Sequence, residues 1–127
     1  MLMIKLTSVM VDDQAKALAF YTNVLGFQTA QDFPVGEYRW ITVVAPGRED
    51  LMLALEPNAN GKQWQAELFG KKIPAIALES SDLDADYARL TEKGVAFTQA
   101  PMAAGPVRIA ILADTVGNLV QLYQLVK

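Results

Sequence analysis

Residues 3–11 alternate apolar and polar positions and are rich in Val, Ile and Leu, a period of two that predicts a strand. Asp13 follows as a helix N-cap. Beyond it Ala17, Phe20, Tyr21, Val24 and Leu25 fall on one helical face. Gly26 ends that helix where a left-handed residue is wanted. Segments 27–33, 37–45 and 50–56 read as three strands, with Pro34-Val35-Gly36 and Pro46-Gly47 as the turns between them. Residues 58–72 form a polar connector with a short helix around 63–69. The first pattern then returns. Strand 73–80 leads to the N-cap Asp82 and to a helix whose stripe is Leu83, Tyr87 and Leu90. Gly94 stops it, and strands 95–99, 106–113 and 118–125 complete the chain.

The two halves read as a repeat. Asp13, Ala19, Thr22, Gly36 and Arg39 recur 69 residues later as Asp82, Ala88, Thr91, Gly105 and Arg108. Gly26 recurs as Gly94 with a one-residue slip. The pattern predicts an α+β protein of two βαβββ modules that form curved mixed sheets around a cleft. Module 1 covers about 1–57, the connector about 58–72 and module 2 about 73–127, all within one domain. Two long helices are too few for a doubly wound parallel sheet.

Period two also sorts strands into faces. In 50–56, Leu51, Leu53 and Leu55 make a dry face expected to pack on a helix, opposite Met52, Ala54 and Glu56. Val9 and Val11 oppose Leu6, Ser8 and Met10. Ile76 and Leu78 oppose Ala75, Ala77 and Glu79. Val120 and Leu122 oppose Leu119, Gln121 and Tyr123. The second face of each strand mixes small, polar, Met and aromatic residues, the composition of an apolar pocket with a few polar handles.

Composition narrows the chemistry. The chain has no Cys and no His, which removes thiolates, disulfides, the commonest metal ligand and the commonest neutral-pH base. Net charge is -3, and no basic cluster exceeds Lys71-Lys72, so nucleic acid is not an expected partner. No apolar run reaches the length of a membrane span. The first residues lack the layout of a secretory signal, so a cytoplasmic location is expected. No phosphate-cradling glycine loop or nucleophile elbow is present.

Two segments carry a resemblance. Asp12-Asp13 to Phe20-Tyr21, followed by Val24-Leu25-Gly26-Phe27, resembles the first strand–helix signature of the vicinal oxygen chelate superfamily, the glyoxalase, bleomycin-resistance and dioxygenase fold. Asp114-Thr-Val-Gly117-Asn118 to Leu122 resembles its closing turn and last strand. Leu53 to Pro57 and Ile76 to Leu90 also fit. Metal-bearing members carry ligands, mostly His and Glu, on the first, fourth, fifth and eighth strands. The resemblance places those positions on Leu6, Ala54, Ala75 and Gln121. Leu and Ala give a metal no electrons, and a neutral amide is a poor substitute. The resemblance thus implies a metal-independent protein, without cofactor, that binds or sequesters a small molecule. An enzyme using Glu56 as base in place of the metal is the alternative. A structural or regulatory dimer module is the third reading.

The expected ligand-face residues are Ser8, Met10, Arg39, Trp40, Met52, Glu56, Arg108, Gln121 and Tyr123. Glu56 and Glu79 are either handles or solvated strand ends. Arg39 and Arg108 either grip an anion through paired donors or reach past an edge to water. Trp40, Tyr123 and Met52 either stack on a flat ligand or belong to the core. Trp64 and Phe69 on the connector either lid the pocket or seal a contact. A homodimer is expected from family analogy.

Overall fold

The computed structural model describes residues 1–126 and shows an α+β chain of two βαβββ modules. Two compact units divide within the connecting helix, Met1–Gln65 and Ala66–Lys127.

The first unit opens with β1 (Leu6–Val11). Asp13 caps α1 (Gln14–Ala19), its carboxylate accepting the Lys16 N–H at 3.0 Å. The helix then widens into a π turn over Phe20–Val24, where Leu25 N–H donates to Phe20 O. β2 (Gln28–Val35), β3 (Tyr38–Ala45) and β4 (Arg48–Pro57) form a meander that returns beside β1. The sheet order is β1-β4-β3-β2, with β1 parallel to β4 and the other pairs antiparallel. Its helix side buries Val9, Val11, Ile41, Val43, Leu53 and Leu55 against Ala17, Phe20 and Tyr21. Full burial of each large aliphatic stabilises the unit by roughly 1.5–3 kcal/mol.

The second unit repeats the plan. It contains β5 (Ile76–Glu79), α3 (Leu83–Glu92), β6 (Phe97–Ala104), β7 (Val107–Ala113) and β8 (Leu119–Leu125), in sheet order β5-β8-β7-β6. Asp82 caps α3 as Asp13 caps α1, accepting the Ala85 N–H at 3.1 Å. Leu83, Leu90, Ala110, Leu112, Val120 and Leu122 are buried, and the Tyr87 and Phe97 rings meet edge to face at 4.7 Å. α2 (Lys62–Gly70) joins the units. No helix among the described residues is long and apolar enough to cross a membrane.

Several expected boundaries move. The first strand starts at Leu6 rather than residue 3, because its ladder to β4 begins at the Leu6–Met52 pair. β2 and β6 run through Pro34 and Pro101, where the sequence predicted a turn and a strand end. Both are edge strands, and an edge tolerates a residue without an N–H. The turns fall instead at Gly36 and Gly105, with φ of +60° and +63°. Leu51, expected on the dry face, is exposed near the start of β4, while Ala54, expected on the mixed face, is fully enclosed.

Candidate functional site

Strand register assembles the mixed face of the first sheet. Leu6 lies opposite Met52, Ser8 opposite Ala54, and Met10 opposite Glu56. Thr42 pairs with Ala54 on the other side of β4. Across β3 and β2, Trp40 pairs with Phe33 and Thr42 with Gln31. Five of the expected residues, Ser8, Met10, Trp40, Met52 and Glu56, therefore share one face. Leu6 and Phe33 are exposed on it, and Trp40, Met10, Met52 and Glu56 are half-buried.

A side-chain network orders its centre. The Trp40 indole N–H donates to Gln31 Oε1 at 2.8 Å. The Thr42 hydroxyl lies 3.2 Å from that same oxygen and 3.6 Å from Met52 Sδ. Thr42 is buried beneath these partners. At the far end, Gln65 from α2 donates to the Met10 carbonyl at 2.8 Å and accepts from Asn58 at 2.7 Å, so α2 is tied to β1. Sequence reasoning missed Gln31, Phe33 and Thr42. The alternation of Gln31 and Phe33 along β2 and of Trp40 and Thr42 along β3 carries their signal, which only the pairing of those strands completes.

The second sheet has the corresponding face. Ala77 lies opposite Gln121, and Glu79 opposite Tyr123. β7 adds Ile111 beside Gln121 and Ile109 beside Tyr123. Gln121 and Tyr123 thus belong together, on a face whose β7 positions are aliphatic where β3 offers Trp40 and Thr42.

Arg39 and Arg108 lie elsewhere. Arg39 follows the parity of buried Ile41 and Val43, and Arg108 that of buried Ala110 and Leu112. Both point to the helix side of their sheets, outside the ligand-facing set expected from sequence. Each makes a two-pronged pair, Arg39 with Asp32 at 3.0 and 2.6 Å and Arg108 with Asp84 at 2.9 and 3.1 Å. These hydrogen bonds hold the Asp32 and Asp84 carboxyls below the ordinary Asp value. A concavity of about 530 Å³ opens beside the start of α3, lined by Ser81, Asp82, Asp84, Arg108, Gln124 and Leu125. It too is on the helix side, and its arginine is already engaged by Asp84. Trp64 and Phe69 are exposed on α2.

The positions that the resemblance assigns to metal ligands form one diagonal pair in each unit. Leu6 faces Met52 with Ala54 two residues on. Ala75 donates its N–H to Leu119 O at 2.8 Å, with Gln121 two residues on. The registers match, so the repeat extends to these positions. Their side chains do not fit a metal, since three are hydrocarbon and the fourth is an amide. No group of three or more His, Cys, Asp or Glu among the described residues is placed to hold one.

Two βαβββ units, each with its first strand parallel to and beside its last, define a recognisable class of protein. A model of the Glyoxalase/Bleomycin resistance protein/Dioxygenase superfamily matches residues 3–122, and the chain belongs to that superfamily. It is 45% identical over 124 residues to the uncharacterised protein YurT of Bacillus subtilis (strain 168), covering 95% of this chain and 98% of that one. Among solved structures it resembles UcmS2 with a TM-score of 0.84 and 28% identity, covering 97% of this chain and 98% of the other. It resembles TnmS3, an antibiotic binding protein from Streptomyces sp. CB03234, with a TM-score of 0.78 and 33% identity, covering 99% and 98%.

Proposed function

We propose that the chain binds and sequesters an organic small molecule without using a metal ion. The observation that carries this reading is the mixed face of the first unit, where Leu6, Phe33, Trp40 and Met52 surround the polar handles Ser8, Gln31 and Glu56. Apolar walls with a few placed polar groups are what ligand sites need. The inert residues at Leu6, Ala54 and Ala75 support metal independence, as does the lack of imidazole and thiolate anywhere in the chain. The 33% identity to an antibiotic binding protein supports an antibiotic-like ligand. The reading includes a cytoplasmic homodimer, which sedimentation at tens of micromolar would detect.

A thermal-shift screen of natural-product antibiotics, with and without EDTA, tests it. A ligand at a hundred times its Kd should raise the midpoint by on the order of 10 °C. The shift should be the same in chelator. A shift that requires a divalent metal, or a transition metal purified at one equivalent per chain, would overturn metal independence. An empty screen counts against ligand binding.

A second reading rests on Glu56. Its half-buried carboxylate shares the ligand face, one strand from Met10, where a base could reach a bound molecule. Turnover of a screened compound that Glu56→Gln abolishes, with binding retained, would favour it.

A further inference from the structure

We infer that Gln31 sets ligand choice, and that the first unit takes a flat aromatic molecule carrying a carbonyl-type acceptor on its edge. The inference rests on the small-molecule-binding reading above and makes it chemically specific.

The orientation of the amide follows from its partners. An indole N–H can only donate, so the Gln31 atom 2.8 Å from Trp40 Nε1 is the carbonyl oxygen. The Thr42 hydroxyl, with the better acceptor at 3.2 Å, adds a second donor to the same oxygen. Both lone pairs of Oε1 are engaged, and turning the amide over would set N–H against N–H. The Gln31 NH2 group is therefore fixed outward with two donors. No acceptor among the described residues takes them.

The surroundings define what those donors meet. Phe33 pairs with Trp40 in register, and Met52 lies near Thr42, so aromatic and thioether surface flanks the amide. The indole is pinned by its hydrogen bond, which leaves a preoriented ring for stacking. A neutral donor beside fixed rings suits a carbonyl on a planar body. The chain's net charge of -3 disfavours an anion there.

The second unit supplies an internal comparison. Gln99 pairs with Ile111 as Gln31 pairs with Thr42. Yet Ile109 and Ile111 offer no donor to hold it, and Gln99 donates to the adjacent Ala100 carbonyl at 2.9 Å. The same scaffold position is locked by donors in the first unit and not in the second, so the arrangement is not a requirement of the fold.

Fluorenone and fluorene test the inference, since they share a flat frame and differ in one carbonyl. Both are titrated into a Trp64→Phe chain and its Gln31→Glu and Gln31→Met variants, following the emission of the remaining Trp40. Glutamate still accepts from Trp40 and Thr42 but presents no donor. Methionine keeps the bulk and removes the amide. The ratio of fluorene to fluorenone dissociation constants should fall about fivefold from the Trp64→Phe chain to either variant, the worth of one neutral hydrogen bond. Fluorene affinity should stay the same in Gln31→Glu. An unchanged ratio in both variants overturns the role of Gln31 while leaving small-molecule binding intact. Failure of both probes on a chain that takes another compound from the antibiotic screen overturns the flat-ligand class alone. Failure of every compound overturns both readings.

Discussion

Asp114 and Asn118 close the turn before β8 with hydrogen bonds to one another in both directions. The Asn118 backbone N–H reaches Asp114 Oδ1 at 2.9 Å, its side-chain amide reaches Oδ2 at 2.8 Å, and Asp114 N–H donates back to Asn118 O at 3.0 Å. Val116 N–H also donates to Asp114 Oδ1, at 3.0 Å. Both residues are buried, and the turn passes through Thr115 and Gly117 at positive φ.

Replacing Asp114 should therefore be severe. Asp114→Ala leaves buried N–H groups without an acceptor, and Asp114→Asn sets one amide against another. Loss of about 2–4 kcal/mol is expected for either, since each orphaned buried donor costs about 1–3 kcal/mol. Urea unfolding of the two variants beside wild type measures this. A loss below about 1 kcal/mol would mean that the turn relaxes or water substitutes for the carboxylate.

Gly61 and Met10 should couple. A Cβ built on Gly61 overlaps the Met10 sulfur and crowds its methyl group. The displaced atoms end a flexible side chain, so Gly61→Ala should cost only about 1 kcal/mol, the low end for overpacking. In a Met10→Ala background that cost should vanish. A double-mutant cycle in denaturant reads the coupling, and additivity would refute the contact. Because Met10 sits on the proposed ligand face, Gly61→Ala should also change ligand affinity.

The arginine–aspartate pairs predict an acid-side effect. Hydrogen bonds from Arg39 and Arg108 lower the folded-state pKa of Asp32 and Asp84. As pH falls, the unfolded chain then takes up these protons first. The stabilisation is present above the ordinary Asp value of about 4 and is lost as pH drops through the lowered folded values. The pairs are exposed, so the effect is modest and salt-sensitive. Asp32→Asn with Asp84→Asn should flatten the dependence of the urea midpoint between about pH 5 and pH 2. Ligand affinity should not change, because both pairs lie on the helix side. Parallel curves for variant and wild type would sink the assignment.

Much of this architecture is written locally. Asp13 and Asp82 cap helices as their positions imply, and the succession of strand, helix and three strands along each unit follows from alternation and glycine turns. Pro34 and Pro101 misled, because whether a strand is an edge depends on topology, not on its own residues. The parity of Leu6, Ser8 and Met10 was legible, yet the Gln31 network was not. It requires β2 beside β3 and β3 beside β4, neighbours that a one-dimensional pattern does not state. The direction of Arg39 was open for a related reason. Its pairing with Asp32 joins two strands, while its equivalent Arg108 reaches a helix.

The enclosure of Ala54 acts as a ratchet. Fully covered at 0% exposure, it lies between Ser8 on one strand and the buried Thr42 on the other. A glutamate introduced there would bring a charge into a space sized for a methyl group, between two strand partners that carry none. The desolvation penalty alone amounts to several kcal/mol, much of a domain's whole stability. The single substitution Ala54→Glu, at a position where the family resemblance places a metal ligand, should therefore cost more stability than the packing can absorb. Its neighbours would have to shrink first, and that would dismantle the order around Gln31. The packing around Ala54 thus sets a stability barrier against a carboxylate at that position.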